Sequence, residues 1–394
     1  MTPSARVQAA IELLDAIILA AREGGAAADT LIARYFTTRR YAGSKDRRAV
    51  RDLVYGAIRQ TDALPPSGRA AMLALATHQP ELLPLFDGSA HGPAAIIPQE
   101  AEAVVSKQTG WITNQLTQSG LKRSDLEALI ARAPLDIRVN PGKADIAAVI
   151  ADIPGAMPIP GVRQGLRLPQ DSQIEQGALW QAGAIEVQDA GSQIVTMAAA
   201  AAPGQTIVDL CAGAGGKTLA MAAAMNNLGR IIAADTDRAR LARLAPRALR
   251  AGVTIAETRL INPNREVDML ADIKAAADLV LIDAPCSGTG TWRRNPEARW
   301  RLSPDRLGRL VETQRRLLDI AVTLVKSGGA IVYIVCSLLD AEGKAQVAAF
   351  LADHAGWQAM PLTLPAGSAH GDGIRLMPSQ DSTDGFFVAR LTAP

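Results

Sequence analysis

Two apolar segments that each end on a thiol carry the chemistry of this chain. Leu279-Val280-Leu281-Ile282-Asp283-Ala284-Pro285-Cys286 and Ile331-Val332-Tyr333-Ile334-Val335-Cys336 hold two of only three cysteines in 394 residues. Both segments read as buried strands. In an open parallel sheet, ligands bind outside the carboxyl ends of the strands, so Cys286, Cys336 and the carboxylate of Asp283 are expected to face one crevice. A thiol nucleophile with an acid beside it is the simplest chemistry for such a set. Either thiol alone could be a small buried hydrophobe, as free cysteines often are. Their shared position at strand ends is what speaks for function.

The third cysteine lies on a glycine-rich turn, Asp209-Leu210-Cys211-Ala212-Gly213-Ala214-Gly215-Gly216-Lys217-Thr218, which leaves a strand and feeds a helix. Such a turn lets backbone amides approach a ligand at a helix N-terminus. Its glycines fit neither the Walker spacing nor the dinucleotide fingerprint. The next strand, Ile231-Ile232-Ala233-Ala234, ends on Asp235, about 20 residues further on, where a carboxylate can accept hydrogen bonds from both hydroxyls of a ribose. Turn and acid together point to an adenosine cofactor, with S-adenosylmethionine and NAD both open on these residues. Cys211 is assigned to packing or backbone positioning. Three well-separated cysteines with no histidine near them argue against a zinc site or a disulfide framework, and no metal is expected.

The elements that must position these residues follow from the hydrophobic pattern. From Gln205 onward, strands at Thr206–Leu210, Arg230–Ala234, Leu279–Asp283 and Ala330–Val335 alternate with helical runs such as Lys217–Asn226, the signature of a doubly wound α/β sheet. Residues 1–125 read as helical instead, with Val7, Ile11, Leu14 and Ile18 at helical spacing. Two further helices are expected at about Glu100–Leu116 and Ser124–Arg132, and the Pro- and Gly-rich stretch Pro134–Pro169 breaks the pattern. A domain boundary falls near 125, giving a helical domain over 1–125 and an α/β domain over 126–394. A length of 394 residues with 48% hydrophobic and 20% charged content suits two or three globular domains. The formal charge of +2 means that a nucleic-acid partner would be held by local basic stretches. No segment approaches a membrane span or a signal peptide, so the protein is read as soluble, cytoplasmic and monomeric.

The blocks Val208–Thr218, Asp283-Ala284-Pro285-Cys286-Ser287-Gly288-Thr289-Gly290 and Cys336-Ser337 resemble the signatures of the RsmB/Sun-type RNA (cytosine-5) methyltransferases, the NSUN family. Gln188-Asp189-Ala190-Gly191-Ser192-Gln193, Arg293-Arg294-Asn295-Pro296 with Trp300, and Thr383-Asp384-Gly385-Phe386-Phe387 agree with it, so the likeness covers about 134–392. Arg47–Arg59 resembles the NusB-like helical domain of the bacterial branch. The resemblance implies a Rossmann-like class I methyltransferase sheet (191–394) preceded by an RNA-contacting lobe (131–190) and an all-α NusB-like domain. It implies S-adenosylmethionine as cofactor, bound by Cys211, Ala212, Gly213, Ala214, Gly215, Gly216, Lys217, Asp235, Asn262 and Asp283. Asn262 stands where the family usually has an aspartate at the adenine end. The turn also departs from the usual Cys-Ala-Ala-Pro-Gly-Gly-Lys, and the acidic-asparagine cluster after the second cysteine is reduced to Glu342.

The same resemblance assigns Cys336 to attack on cytosine carbon 6, Asp283 to the proton at ring nitrogen 3, and Cys286 to release of the product, with Lys217 supporting the thiolate. The expected partner is RNA, 16S ribosomal RNA first and transfer RNA second. Two basic stretches suit RNA: residues 34–59, with eight Arg or Lys against two Asp and Tyr35, Phe36, Tyr41 and Tyr55 interleaved, and Arg293–Arg316, with eight arginines against three acids. For the first, the alternative is an amphipathic helix with a solvated basic face. Competing functions are a nicotinamide oxidoreductase, a non-catalytic assembly factor that binds RNA, and a DNA cytosine-5 methyltransferase. The oxidoreductase would need no pair of strand-end thiols.

Overall fold

The computed structural model describes residues 1–98, 100, 102, 110–170 and 172–394. It forms two compact units, Met1–Ala131 with Thr291–Ser303, and Arg132–Gly290 with Pro304–Pro394. No helix among the described residues is long and apolar enough to cross a membrane.

The first unit is helical: α1 (Pro3–Glu23), α2 (Ala28–Thr37), α3 (Ser44–Gln60), α4 (Gly68–Ala76), α5 (Trp111–Gln118) and α6 (Arg123–Ile130). The beginning of the helix expected from Glu100 lies outside the described residues. α1 starts where the Thr2 hydroxyl accepts the Ala5 N–H and stops at Gly24 in the left-handed region. Its Val7, Leu14 and Ile17 are fully buried against Val54 and Ile58 of α3 and Leu75 of α4.

Segment Thr291–Ser303 is part of this core although it comes from the middle of the other half of the sequence. Trp300 packs among the helices and donates its indole N–H to the Thr61 carbonyl, and the Glu297 carboxylate accepts the Ala28 N–H that opens α2. Arg299, 6% exposed, donates to the carbonyls of Ile58 and Thr61 at 2.6 Å each, at the C-terminal end of α3. Arg301 donates to the carbonyls of Gly25 and Ala26 at 2.7 Å. The basic run Arg293–Arg316 therefore divides, because Arg299 and Arg301 are spent on backbone carbonyls and Arg293 is buried. Further along, Arg315 pairs with Asp353 and Arg316 with Glu266.

The second unit holds two sheets. β1 (Leu135–Val139), β2 (Met157–Pro158), β3 (Gly165–Leu168) and β4 (Ile185–Val187) form an antiparallel sheet in the order β2-β3-β1-β4. The Pro- and Gly-rich stretch Pro134–Pro169 that interrupts the sequence pattern thus holds β1, β2 and β3 of a small sheet together with their connections. The main sheet comprises β5 (Thr206–Asp209), β6 (Arg230–Asp235), β7 (Ala256–Leu260), β8 (Ala277–Asp283), β9 (Val325–Val335), β10 (Gln358–Met360), β11 (Ser368–His370), β12 (Gly373–Leu376) and β13 (Phe386–Thr392). Its order is β11-β12-β13-β9-β8-β5-β6-β7, with β10 on β13; β5 to β9 are parallel and β10 to β13 antiparallel. This is the expected doubly wound sheet, extended by an antiparallel flank from the C-terminus. Leu279, Val280, Leu281 and Ile282 are each at most 1% exposed because helices cover both faces, which is why β8 is a continuous apolar run.

Strand order reverses between β5 and β8, so the chain leaves these neighbours in opposite directions and opens a crevice at their carboxyl ends. Helix α7 (Ala190–Met197) starts at Asp189, whose carboxylate accepts the N–H groups of Ser192 and Asp384 and so ties the Gln188–Gln193 block to the Thr383–Phe386 block.

Candidate active site

The glycine turn after β5 leads into α8 (Gly216–Ala224). Gly213 and Gly215 have φ of 55° and 81°, a region that L side chains rarely adopt. The turn is pinned from several sides: Ala212 N–H to the Ala234 carbonyl at 3.0 Å, Gly215 N–H to the Ala212 carbonyl at 2.9 Å, and Arg247 to the Ala214 carbonyl at 2.6 Å. Asp235, at the end of β6, accepts the Gly213 N–H on one oxygen and the Asp237 N–H on the other, both at 2.7 Å. A carboxylate has about four acceptor sites, so about two remain for a ligand.

Asp235 is in the wall of a cavity of about 550 Å³ with Cys211, Asp283, Cys286 and Cys336, at the mouth of the topological switch. Helix α9 (Pro304–Leu324) closes another side with Arg306, Leu310, Thr313 and Arg316. The volume suits a cofactor-sized ligand. The acid at the ribose position and the glycine turn at a helix N-terminus fit an adenosine cofactor on their own chemistry. At the level of β7 the wall is Ile261, Pro263 and the buried Glu266. Asn262 is exposed, outside this wall, with its backbone N–H toward Met269 Sδ at 3.1 Å.

The two thiols meet: Cys286 Sγ and Cys336 Sγ are 3.3 Å apart. The sulfurs converge because β8 and β9 are parallel neighbours, with Asp283 opposite Ile334, and both chains turn within three residues of that pair. Close packing of backbones brings the next residues together as well. Gly290 N–H donates to the Cys336 carbonyl at 3.0 Å, and Gly385 N–H donates to the Gly290 carbonyl at 2.8 Å. A Cβ at Gly290 would stand 2.0 Å from the Gly385 carbonyl oxygen, so glycine is required there.

Electrostatics separate the roles of the polar groups. The hydrogen bond to Cys336, together with burial, pushes the Cys286 thiol well above the ordinary range, so Cys286 keeps its proton. Burial also holds Cys211 protonated. Lys217 Nζ lies 2.6 Å from Asp283 Oδ2 and over the Phe386 ring. Burial works to lower the Lys217 pKa, but the charge and hydrogen bond of Asp283, with Cys336 and Asp209 nearby, overcome it and raise the value, so the ammonium is retained. Beneath this pair Asp209 is 1% exposed, accepts the Thr218 hydroxyl at 2.6 Å, and is pushed up to about 7 by burial, with the Asp283 and Asp235 charges adding to the effect. Sequence reasoning passed over Asp209, since an acid inside a strand pattern gives no sign that it will be enclosed among other acids.

A parallel sheet with this reversal, turn and adenosine-type cavity defines a Rossmann-like methyltransferase. The family described as 16S rRNA methyltransferase RsmB/F matches residues 196–392. The chain is 30% identical over 332 residues to ribosomal RNA small subunit methyltransferase B of Sodalis glossinidius, covering 81% of this chain and 74% of that protein. It is 37% identical over 273 residues to the probable ribosomal RNA small subunit methyltransferase B of Synechocystis, covering 65% of this chain and 59% of that one. A crystal structure of a methyltransferase homolog protein from Pyrococcus horikoshii is similar with a TM-score of 0.61 at 25% identity, covering 71% of this chain and 98% of that chain. This chain belongs to the 16S rRNA methyltransferase RsmB/F family. The family is S-adenosylmethionine-dependent.

Proposed function

We propose that this protein methylates carbon 5 of a cytosine in ribosomal RNA, acting in the cytoplasm on the small-subunit 16S RNA. The observation that carries the reading is the pair of thiols 3.3 Å apart in the wall of the cofactor cavity, with Asp283 beside them. S-adenosylmethionine, held by Asp235 and the turn Cys211–Gly216, supplies an electrophilic methyl group.

Carbon 5 of cytosine is a poor nucleophile until the ring is activated. The Cys336 thiolate adds to carbon 6, and ring nitrogen 3 takes a proton from Asp283, leaving an enamine whose carbon 5 can accept the methyl group as the methyl–sulfur bond of the bound sulfonium would break and its sulfur would leave as a neutral thioether. Lys217, charged and 2.6 Å from Asp283, is the source of that proton through Asp283 and takes it back by the same path when ring nitrogen 3 releases it. Bonding of the Cys336 sulfur to carbon 6 takes away its hydrogen bond with Cys286, the largest cause of the raised Cys286 pKa, while burial remains; in this scheme Cys286 then gives its proton to solvent and serves as the base. The Cys286 thiolate next takes the proton from carbon 5, the carbon–sulfur bond breaks as the ring double bond re-forms, and the nitrogen 3 proton returns to Asp283. In this scheme the base arises only after the adduct.

The RNA partner is read from the helical unit as well. Arg34, Arg40, Lys45 and Arg48 are exposed, and Tyr41 is 73% exposed, a set suited to phosphates and one stacked base. Phe36 and Tyr55 are buried and Tyr35 donates to Glu12, so only Tyr41 of the interleaved aromatics is free for stacking. The target base leaves its stack at a cost of a few kcal/mol, which favours loops over helices. Bisulfite sequencing of total RNA from cells with and without the protein tests the proposal. A 16S cytosine that becomes convertible on deletion supports it; a cytosine in transfer RNA would redirect the substrate, and the absence of any change would favour an assembly factor that binds RNA.

A further inference from the structure

Glu342 lies outside the cofactor cavity and is fully buried. Ser287 follows one thiol and Ser337 follows the other, and both meet its carboxylate. Oε1 accepts the Ser287 N–H at 2.8 Å and the Gln314 side-chain N–H at 2.9 Å. Oε2 accepts the Ser337 hydroxyl at 2.6 Å and the Ser287 hydroxyl. With about four acceptor sites on a carboxylate, none is left for substrate or for proton transfer.

The surroundings extend the clamp. Tyr333 of β9 donates to the Glu342 carbonyl at 2.7 Å, the two serine hydroxyls are 3.1 Å apart, and Thr289 Oγ1 accepts the Leu338 N–H at 2.9 Å. Gln314 also donates to the Pro285 carbonyl at 2.9 Å, which adds helix α9 to the two loops. A buried carboxylate is costly unless donors converge on it, and here the converging donors come from both thiol-bearing loops.

We infer that Glu342 is a positioning residue that locks the Cys286 and Cys336 loops to each other and so sets the separation of the two thiols. This role rests on the methyltransfer reading only for its effect on rate, because the spacing of the thiols is a property of the free protein. Two thiols with separate tasks on one base need a fixed spacing, and a misplacement of about 1 Å costs about 10²-fold in rate.

The chemistry of the clamp separates the variants. In Glu342→Gln the amide oxygen can keep the two N–H donors, which cannot reverse, while its NH2 donates to two serine hydroxyls, which can. Glu342→Ala removes the acceptor that all four donors share. The test is binding of phenylarsine oxide, which needs two adjacent thiols, to the free protein, alongside single-turnover methylation. Glu342→Ala should bind the arsenical about tenfold more weakly and methylate about 10²-fold more slowly, with S-adenosylmethionine affinity unchanged; Glu342→Gln should restore most of both. If the alanine variant does not fold, Ser337→Ala should move both readouts the same way by a smaller factor. Arsenical binding equal to the parent in the folded alanine or serine variant, or a glutamine variant no better than alanine, overturns the role. A parent that chelates the arsenical but methylates no RNA would instead count against the methyltransfer reading.

Discussion

Asp209→Asn is the perturbation with the most direct link between geometry and a measured quantity. The carboxylate is 1% exposed at the end of β5; one oxygen accepts the Thr218 hydroxyl and the other has no partner among the described residues. An unfolded aspartate titrates near 3.9, whereas burial and the neighbouring acids push Asp209 up to about 7. The folded protein therefore holds a proton between about pH 4 and pH 7 that the unfolded chain has lost, and stability falls as pH rises through that window. Above pH 7 the penalty is complete. At 1.36 kcal/mol for each pH unit between the two values, it amounts to about 4 kcal/mol, an upper figure. Asparagine keeps an acceptor for Thr218 and removes the charge. Urea unfolding at pH 5, 6, 7 and 8 should show the variant gaining on the parent with each step, by about 2–4 kcal/mol between pH 5 and 8. A difference that does not change with pH would refute the reasoning, because it would mean that Asp209 is ionised across the whole range.

The remaining expectations concern the thiols, the lysine and the helical unit. Cys336→Ala should abolish methylation and covalent capture of RNA, whereas Cys286→Ser should accumulate an adduct that survives a denaturing gel; an adduct on Cys336→Ala would reverse the two assignments. Lys217→Met removes the ammonium 2.6 Å from Asp283 and should lower kcat/KM about 10²-fold or more, so an unchanged rate would remove Lys217 from the proton path. Arg299→Ala strips the end of α3 of a charged donor to the Ile58 and Thr61 carbonyls and should destabilise the helical unit by about 2–4 kcal/mol, read as faster proteolysis within residues 1–131. Equal proteolysis rates would show that the helix end finds other partners.

Much of the site is legible in the sequence because its residues are tied to local elements. A β-branched run ending on Asp283 or Cys336, and a glycine turn feeding a helix, put those groups at strand ends whatever the rest of the chain does. Period and turn chemistry are properties of neighbours in sequence, so the doubly wound sheet followed from them. What lay beyond reach depends on packing between distant segments. The separation of Cys286 from Cys336 exists only because β8 and β9 are adjacent in the sheet. Asn262, which the resemblance puts at the adenine end, is exposed after β7, where Ile261 and Pro263 are in the wall, a placement set by the turn and not by residue type. The basic run Arg293–Arg316 reads as a nucleic-acid contact, but its Arg299 meets a helix end contributed by residues more than 200 positions earlier. Charge and residue type are written in the sequence. Whether an arginine meets solvent or a carbonyl, and whether an acid such as Asp209 is enclosed with other acids, is decided by which surfaces the tertiary fold buries, because desolvation and Coulomb energy depend on distance in space.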